Sequence, residues 1–216
     1  MTHQTTPARL IVSPGNSKMG LIPSVSLPPV TTCRKNAPCI KKCYACKLCR
    51  IYTRVRNSYE NNLTLWETDP AEYFRQLTEQ FRLNRYFRMH VAGDIPNRDY
   101  FARLVKAAGE NPACEILLFT KQFEIVNECL KERATESGEY FPLETIPENL
   151  HVIYSGWGDD FKPVNPYGLP ESQVIFKGQT PPDNWKICGG NCSECACRGV
   201  GCWELQPGET IAFYEH

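Results

Sequence analysis

The chain has 216 residues, enough for one large domain or for a domain with a small appendage, and its hydrophobic fraction of 42% is that of a globular protein with a core of its own. Its 24 basic and 24 acidic residues cancel, which argues against general nucleic-acid affinity for the chain as a whole. No apolar run approaches the roughly 20 residues of a membrane helix, and the polar stretch Met1–Arg9 carries no apolar signal segment, so the chain is expected in the cytoplasm with no membrane partner.

In chain order, residues 1–9 read as a disordered N-terminus. Leu10–Val30 holds two short apolar stretches broken by glycine and proline, which predict one or two short strands leading into a first cysteine loop at 33–49. Lys47–Glu67 lacks glycine and proline and predicts a helix. Asp69-Pro70 with Glu72 marks the next helix start: Asp69 caps, Pro70 tolerates the first position, and Phe74, Leu77 and Phe81 form one face. In Tyr86–Ala92 the residues Phe87, Met89 and Val91 alternate as in a strand. Asn97 caps a helix that turns Phe101, Leu104, Val105 and Ala108 inward. Glu115–Phe119 predicts a strand, Phe123–Arg133 a helix, and Leu150–Tyr154, Gln173–Phe176 and Glu209–Tyr214 further strands. This alternation predicts an α/β fold, either a partial (β/α) barrel or an open parallel sheet of about five or six strands over residues 10–186. A cysteine-rich tail at 187–216 follows it.

The 12 cysteines carry the chemistry. In a reducing compartment dense cysteine signals metal more often than disulfides. Cys114 and Cys129 sit in apolar surroundings and read as small core residues, while the other ten fall into two tight groups. In the first group, Cys39, Cys43 and Cys46 follow a C-x3-C-x2-C spacing that can wrap three corners of a [4Fe–4S] cluster and leave one iron open. Thiolates are soft ligands, so zinc is the competing metal. From Arg34 to Arg56 there are eight basic residues and no acidic one. That stretch is either a solvated face or a local field for an anionic cluster, a phosphate or a carboxylate, and it permits nucleic acid. In the second group, Cys188, Cys192, Cys195 and Cys202 are the preferred ligands, with Cys197 spare. They would close a second [4Fe–4S] cluster that relays electrons, or a zinc site that staples the tail. The two groups could also share one site. Strand ends supply weaker candidates in Thr120, Lys121, Ser155, Gly156, Trp157 and Lys177. Asp94 is the better candidate there, as a carboxylate for a cofactor or substrate amine. His90 reads as a hydrogen-bonded core histidine and His151 as structural.

The Cys39, Cys43 and Cys46 run resembles the radical S-adenosylmethionine superfamily. That resemblance implies a partial barrel with the cluster loop after its first strand and S-adenosylmethionine bound at the open iron. It also implies a cofactor-seating segment after the second strand, where this chain reads Gly93-Asp94. The superfamily places an aromatic just before the third cysteine. Here Ala45 stands there and Tyr44 follows the second cysteine, so Tyr44 joins Gly93 and Asp94 as an implied cofactor contact. From about Leu10 onward the chain is also similar to the phage gene-product-88 family. The shared segments are Ser13-Pro14-Gly15-Asn16-Ser17-Lys18-Met19-Gly20, Ser26-Leu27-Pro28-Pro29, Arg88-Met89-His90-Val91-Ala92-Gly93-Asp94 and Gly201-Cys202-Trp203. This similarity implies a host-cytoplasm location and typical cysteines at Cys33, Cys39 and Cys43. The first site is therefore either Cys39, Cys43 and Cys46, or Cys33, Cys39 and Cys43 with a fourth ligand. Two functional readings follow: an iron–sulfur enzyme of radical type acting on an unknown substrate, or a non-catalytic module, stabilised by zinc or Fe–S, that engages a host protein or nucleic acid.

Overall fold

The computed structural model describes residues 9–134, 140–142, 145–159 and 161–215; the expectation of disorder at 1–8 lies outside them. A two-residue strand β1 (Ser24–Val25) leads into the first cysteine loop, which holds a short 3-10 helix at Pro38–Lys42. Helices α1 (Tyr44–Ile51), α2 (Thr53–Thr68) and α3 (Pro70–Leu83) follow. Then come β2 (Tyr86–Met89), α4 (Arg98–Gly109), β3 (Glu115–Thr120) and α5 (Phe123–Leu130). A two-stranded antiparallel ribbon, β4 (Glu132–Ala134) with β5 (Tyr140–Pro142), precedes β6 (Leu150–Ser155) and β7 (Glu171–Ile175). The chain ends with β8 (Lys186–Ile187), α6 (Cys192–Arg198), a 3-10 turn at Gly201–Glu204 and β9 (Thr210–Tyr214).

Seven strands form one all-parallel sheet in the order β1-β2-β3-β6-β7-β9-β8. The α/β parallel architecture is the expected one, with a strand more than predicted because Lys186–Ile187 pairs outside β9. The tail is therefore built into the sheet: β9 lies between β7 and β8, and Ile211 and Ala212 are buried.

Local chemistry explains the element boundaries. The Asp69 side chain accepts from Glu72 N at 3.0 Å and Asn97 accepts from Tyr100 N at 2.9 Å, so both expected caps form. The single helix expected over Lys47–Glu67 is two, broken at Tyr52, whose backbone is extended. The change of direction lets α2 bury Leu65 and Trp66 in the core while α1 turns Ala45 toward a cavity. Strand β2 stops at Met89, short of the expected Ala92, because His90 adopts a left-handed backbone with φ 54°. Helix α5 stops at Leu130 rather than Arg133, since Glu132–Ala134 pairs with Tyr140–Pro142 instead.

Strand alternation divides the core in two. Phe87 and Met89 of β2, Ile116 and Leu118 of β3, and Val152 and Tyr154 of β6 pack on one face with Trp66, Phe74, Leu77, Phe101 and Leu104 of the helices. Leu117, Ile153 and Ile211 point the other way and pack against Ala196, Trp203 and Leu205 of the tail. The cysteine-rich segment thus covers the sheet face that α2–α5 leave open. No helix among the described residues is long and apolar enough to cross a membrane.

Candidate functional site

A cavity of about 620 Å³ opens at the C-terminal ends of the strands, between the first cysteine loop and the tail. In an open parallel sheet this is where loops converge on a ligand. Cys33, Cys39 and Cys43 line it from the first loop, and Cys188, Cys192, Cys195 and Cys202 line it from the tail. The structure thus brings seven thiols from opposite ends of the sequence to one cavity. Cys46 and Cys49 do not line it. Cys46 lies one helical turn along α1 and bonds back to the Cys43 thiol. Cys197 is exposed and off the cavity, while Cys114 and Cys129 are buried, as expected of core residues.

Backbone turns position the first set. Thr32 closes a turn by donating from N and Oγ1 to Pro28 O, and Val30 N donates to Cys33 Sγ at 3.4 Å. Cys39 lies in the 3-10 helix, and Cys43 is the N-cap of α1. Burial pushes the Cys33 thiol up to about 12; burial also raises Cys39, opposed by the Lys121 ammonium. Burial takes Cys202 up to about 12, with Cys188, Cys192 and Cys195 pushing the same way and Arg88 opposing. Each thiol set therefore has a cation beside it.

A turn near the N-terminus holds the tail in place. Ser193 Oγ donates to Met19 O at 2.8 Å and accepts from Leu21 N at 3.0 Å, while Cys192 N donates to Lys18 O at 3.1 Å. Gly20, at φ 65°, permits this approach, since a Cβ there would sit 2.2 Å from Ser193 Oγ.

Asp94 ties the strand ends together. Its carboxylate accepts from Thr120 Oγ1 (2.6 Å), Lys121 N (2.8 Å) and Ile95 N (2.8 Å), and its own N donates to Thr32 Oγ1 at 3.0 Å. These bonds take three of the carboxylate's acceptor positions with protein donors. Gly93 allows the loop at φ 76°, where a Cβ would lie 2.5 Å from Leu27 O. Tyr44 Oη donates to Val91 O, and its ring stands at the cavity rim. Of the weaker candidates, Lys121 Nζ donates to Ser155 Oγ at 2.6 Å and faces Trp157, all three on the cavity wall, while Lys177 lies off it.

Two wall residues escaped the sequence reading. Arg88 Nη1 donates to Cys192 Sγ at 3.3 Å with its guanidinium over Phe119 at 5.0 Å, and Gln173 projects from β7. Strand alternation gave the signal for Arg88, a charge opposite buried Phe87 and Met89. The expectation for His90 needs correction. It is buried, but neither ring nitrogen has a hydrogen-bond partner, because the left-handed turn leaves its ring against Tyr100. Burial lowers its pKa to about 3. Among the described residues, the buried side-chain nitrogen and oxygen atoms without a partner are Arg88 Nε, both His90 ring nitrogens and Gln173 Oε1, and all border this cavity. A larger depression of about 1130 Å³ at the N-terminal strand ends has no such atom; there His151 bonds Glu115 at 2.7 Å, in the structural role expected of it.

Tetrahedral zinc draws four sulfurs to roughly 3.8 Å from one another. Among the described residues no three His, Cys, Asp or Glu side chains are gathered to hold a metal ion. The thiols fit a metal centre in donor chemistry.

No curated protein and no solved structure matches the chain. Residues 4–199 match the family model described as Gene product 88, and the chain belongs to that family.

Proposed function

We propose that this Gene product 88 protein is an iron–sulfur protein whose cavity is its reacting site. Cys33, Cys39 and Cys43 would hold a [4Fe–4S] cluster, and Cys188, Cys192, Cys195 and Cys202 a second centre. The convergence of those seven thiols on one cavity carries the reading. Cys33, Cys39 and Cys43 would leave one iron of such a cluster for an exogenous ligand, and the cluster would supply single electrons at the cavity. The chain's own residues prepare the place. Lys121 and Arg88 offset thiolate charge and favour the ionised sulfurs. Asp94 holds the Thr32, Ile95 and Lys121 loops in register around the first set.

The resemblance to radical enzymes adds S-adenosylmethionine as a cosubstrate. The lining of the cavity supports Cys33, Cys39 and Cys43 as the first ligand set over Cys39, Cys43 and Cys46, since Cys46 does not line it. A second reading applies to the tail alone: its four thiols pack beside Trp203 and Leu205, a setting suited to a zinc staple.

Anaerobic purification decides. A brown protein with iron and acid-labile sulfide is expected. Cys33→Ala should lose the first cluster, and Cys46→Ala should keep it. A colourless protein with bound zinc sinks the iron–sulfur reading and favours a non-catalytic module. Release of 5′-deoxyadenosine from S-adenosylmethionine under dithionite tests the cosubstrate; an intact cluster with no product removes it.

A further inference from the structure

We infer that the cavity takes a single base from a single-stranded nucleic acid whose phosphate backbone lies along the basic face of α1 and the turn before it. The base-binding half rests on the cavity being the reacting site; the backbone half does not.

The charge argument comes first. The chain is neutral, yet Arg34–Arg56 carries eight basic residues and no acidic one. Lys42 pairs with Glu215 and Arg56 with Glu60. Lys35, Lys41, Lys47, Arg50 and Arg54 are exposed and form no ion pair among the described residues. Five unneutralised cations on a chain of zero net charge are a local field for a polyanion. They are interleaved with Tyr44 at 60% and Tyr52 at 55% exposure. Aromatic rings set among cations are what the bases of a flexible strand stack on, and their faces accept any base.

The cavity continues that surface inward. Lys42, Cys43 and Tyr44 belong to both the basic segment and the cavity rim. Behind them, Phe119, Trp157 and Phe213 line the cavity, each with one ring face covered by a cation (Arg88, Lys121 and Lys18), and His90 and Gln173, whose buried ring nitrogens and Oε1 lack a partner, line it too. Buried polar atoms left unpaired are costly, so a ligand that pairs them binds with a gain. A planar heterocycle with polar edges matches that combination of aromatic walls and hydrogen-bonding groups. An acidic polypeptide would share the charge but bring no such plane. A base held in a duplex could not reach these walls without leaving its stack, so a single strand is the favoured form.

The test uses the full chain as purified, with single-stranded DNA and RNA oligonucleotides of about 20 nucleotides, each bearing one 2-aminopurine. Each phosphate contact on a single strand gives a slope of about −0.7 in log affinity against log salt, so five contacts predict about a hundredfold loss between roughly 50 and 200 mM. The triple variant K41A/K47A/R50A should flatten that slope by about 2 while metal content stays unchanged. Trp157→Ala should weaken binding roughly tenfold and reduce the 2-aminopurine response, with Trp157→Phe restoring both. No binding at low salt, or a slope indifferent to the triple variant, overturns the inference. Displacement of the strand by poly-glutamate at equal charge assigns the face to an acidic protein and also overturns it. An iron-loaded protein that fails these assays loses the nucleic-acid inference alone. A colourless protein that binds the strand through Lys41, Lys47 and Arg50 loses the iron–sulfur reading alone.

Discussion

Replacing Asp94 tests whether one carboxylate holds the cavity's floor. Its oxygens accept from Thr120 Oγ1, Lys121 N and Ile95 N, and the residue is buried. Alanine would strand those three donors, at about 1–3 kcal/mol each, so a loss of roughly 3–9 kcal/mol is expected. For a chain of this length about 1 kcal/mol moves Tm by about 2–4 °C, which places Asp94→Ala about 6 °C or more below the parent. Asp94→Asn keeps an acceptor for one backbone N–H and can donate to Thr120 Oγ1, so it should cost about 1–2 kcal/mol. The pH dependence separates burial from bonding. Burial raises the Asp94 pKa to about 6, with the Thr120 hydroxyl and the Lys121 and Ile95 amides opposing. A carboxyl raised in the folded state stabilises the fold below its unfolded pKa of about 3.9 and loses that contribution as pH rises through about 6. The parent's advantage over Asp94→Asn should therefore shrink between about pH 4 and 7. Thermal melts of the two variants at several pH values measure both effects. A melt for Asp94→Ala within about 2 °C of the parent would refute the bonding argument, and an advantage over Asn that grows with pH would refute the burial argument.

Gly93→Ala should destabilise the fold by about 2 kcal/mol or more, because φ is positive and the new methyl would lie 2.5 Å from Leu27 O and 2.7 Å from Thr32 Oγ1; urea unfolding at parental stability would show that the loop relaxes freely. In metal-stripped protein, Cys33 and Cys202, both raised to about 12, are only about one part in ten thousand thiolate at pH 8. Iodoacetamide should label exposed Cys197 before either of those two, with their rates rising about tenfold per pH unit, as followed by peptide mass spectrometry. Simultaneous labelling of all three would contradict the burial that sets the order.

Much of the scaffold could be read locally. Asp69 and Asn97 cap where their side chains can reach the amides three residues on, and Phe101, Leu104, Val105 and Ala108 follow the helical repeat into the core. The site was harder to read because its geometry is long-range. Spacing alone grouped Cys39, Cys43 and Cys46, but the start of α1 at Tyr44 leaves Cys46 off the cavity, while Cys33 reaches it from a turn. Likewise, alternation says that Arg88 faces away from Phe87, not that the tail's thiols wait there. The charge of Arg34–Arg56 was legible, whereas its place at a cavity rim depends on how α1 leaves the loop.

The bond from Ser193 to Met19 spans 174 residues and joins the turn before β1 to helix α6 of the tail. Until those residues meet, one wall of the pocket is missing and the first loop's sulfurs stay open to incoming ions and small molecules. The join that completes the pocket therefore makes its lining a property of the whole folded chain rather than of either cysteine segment alone.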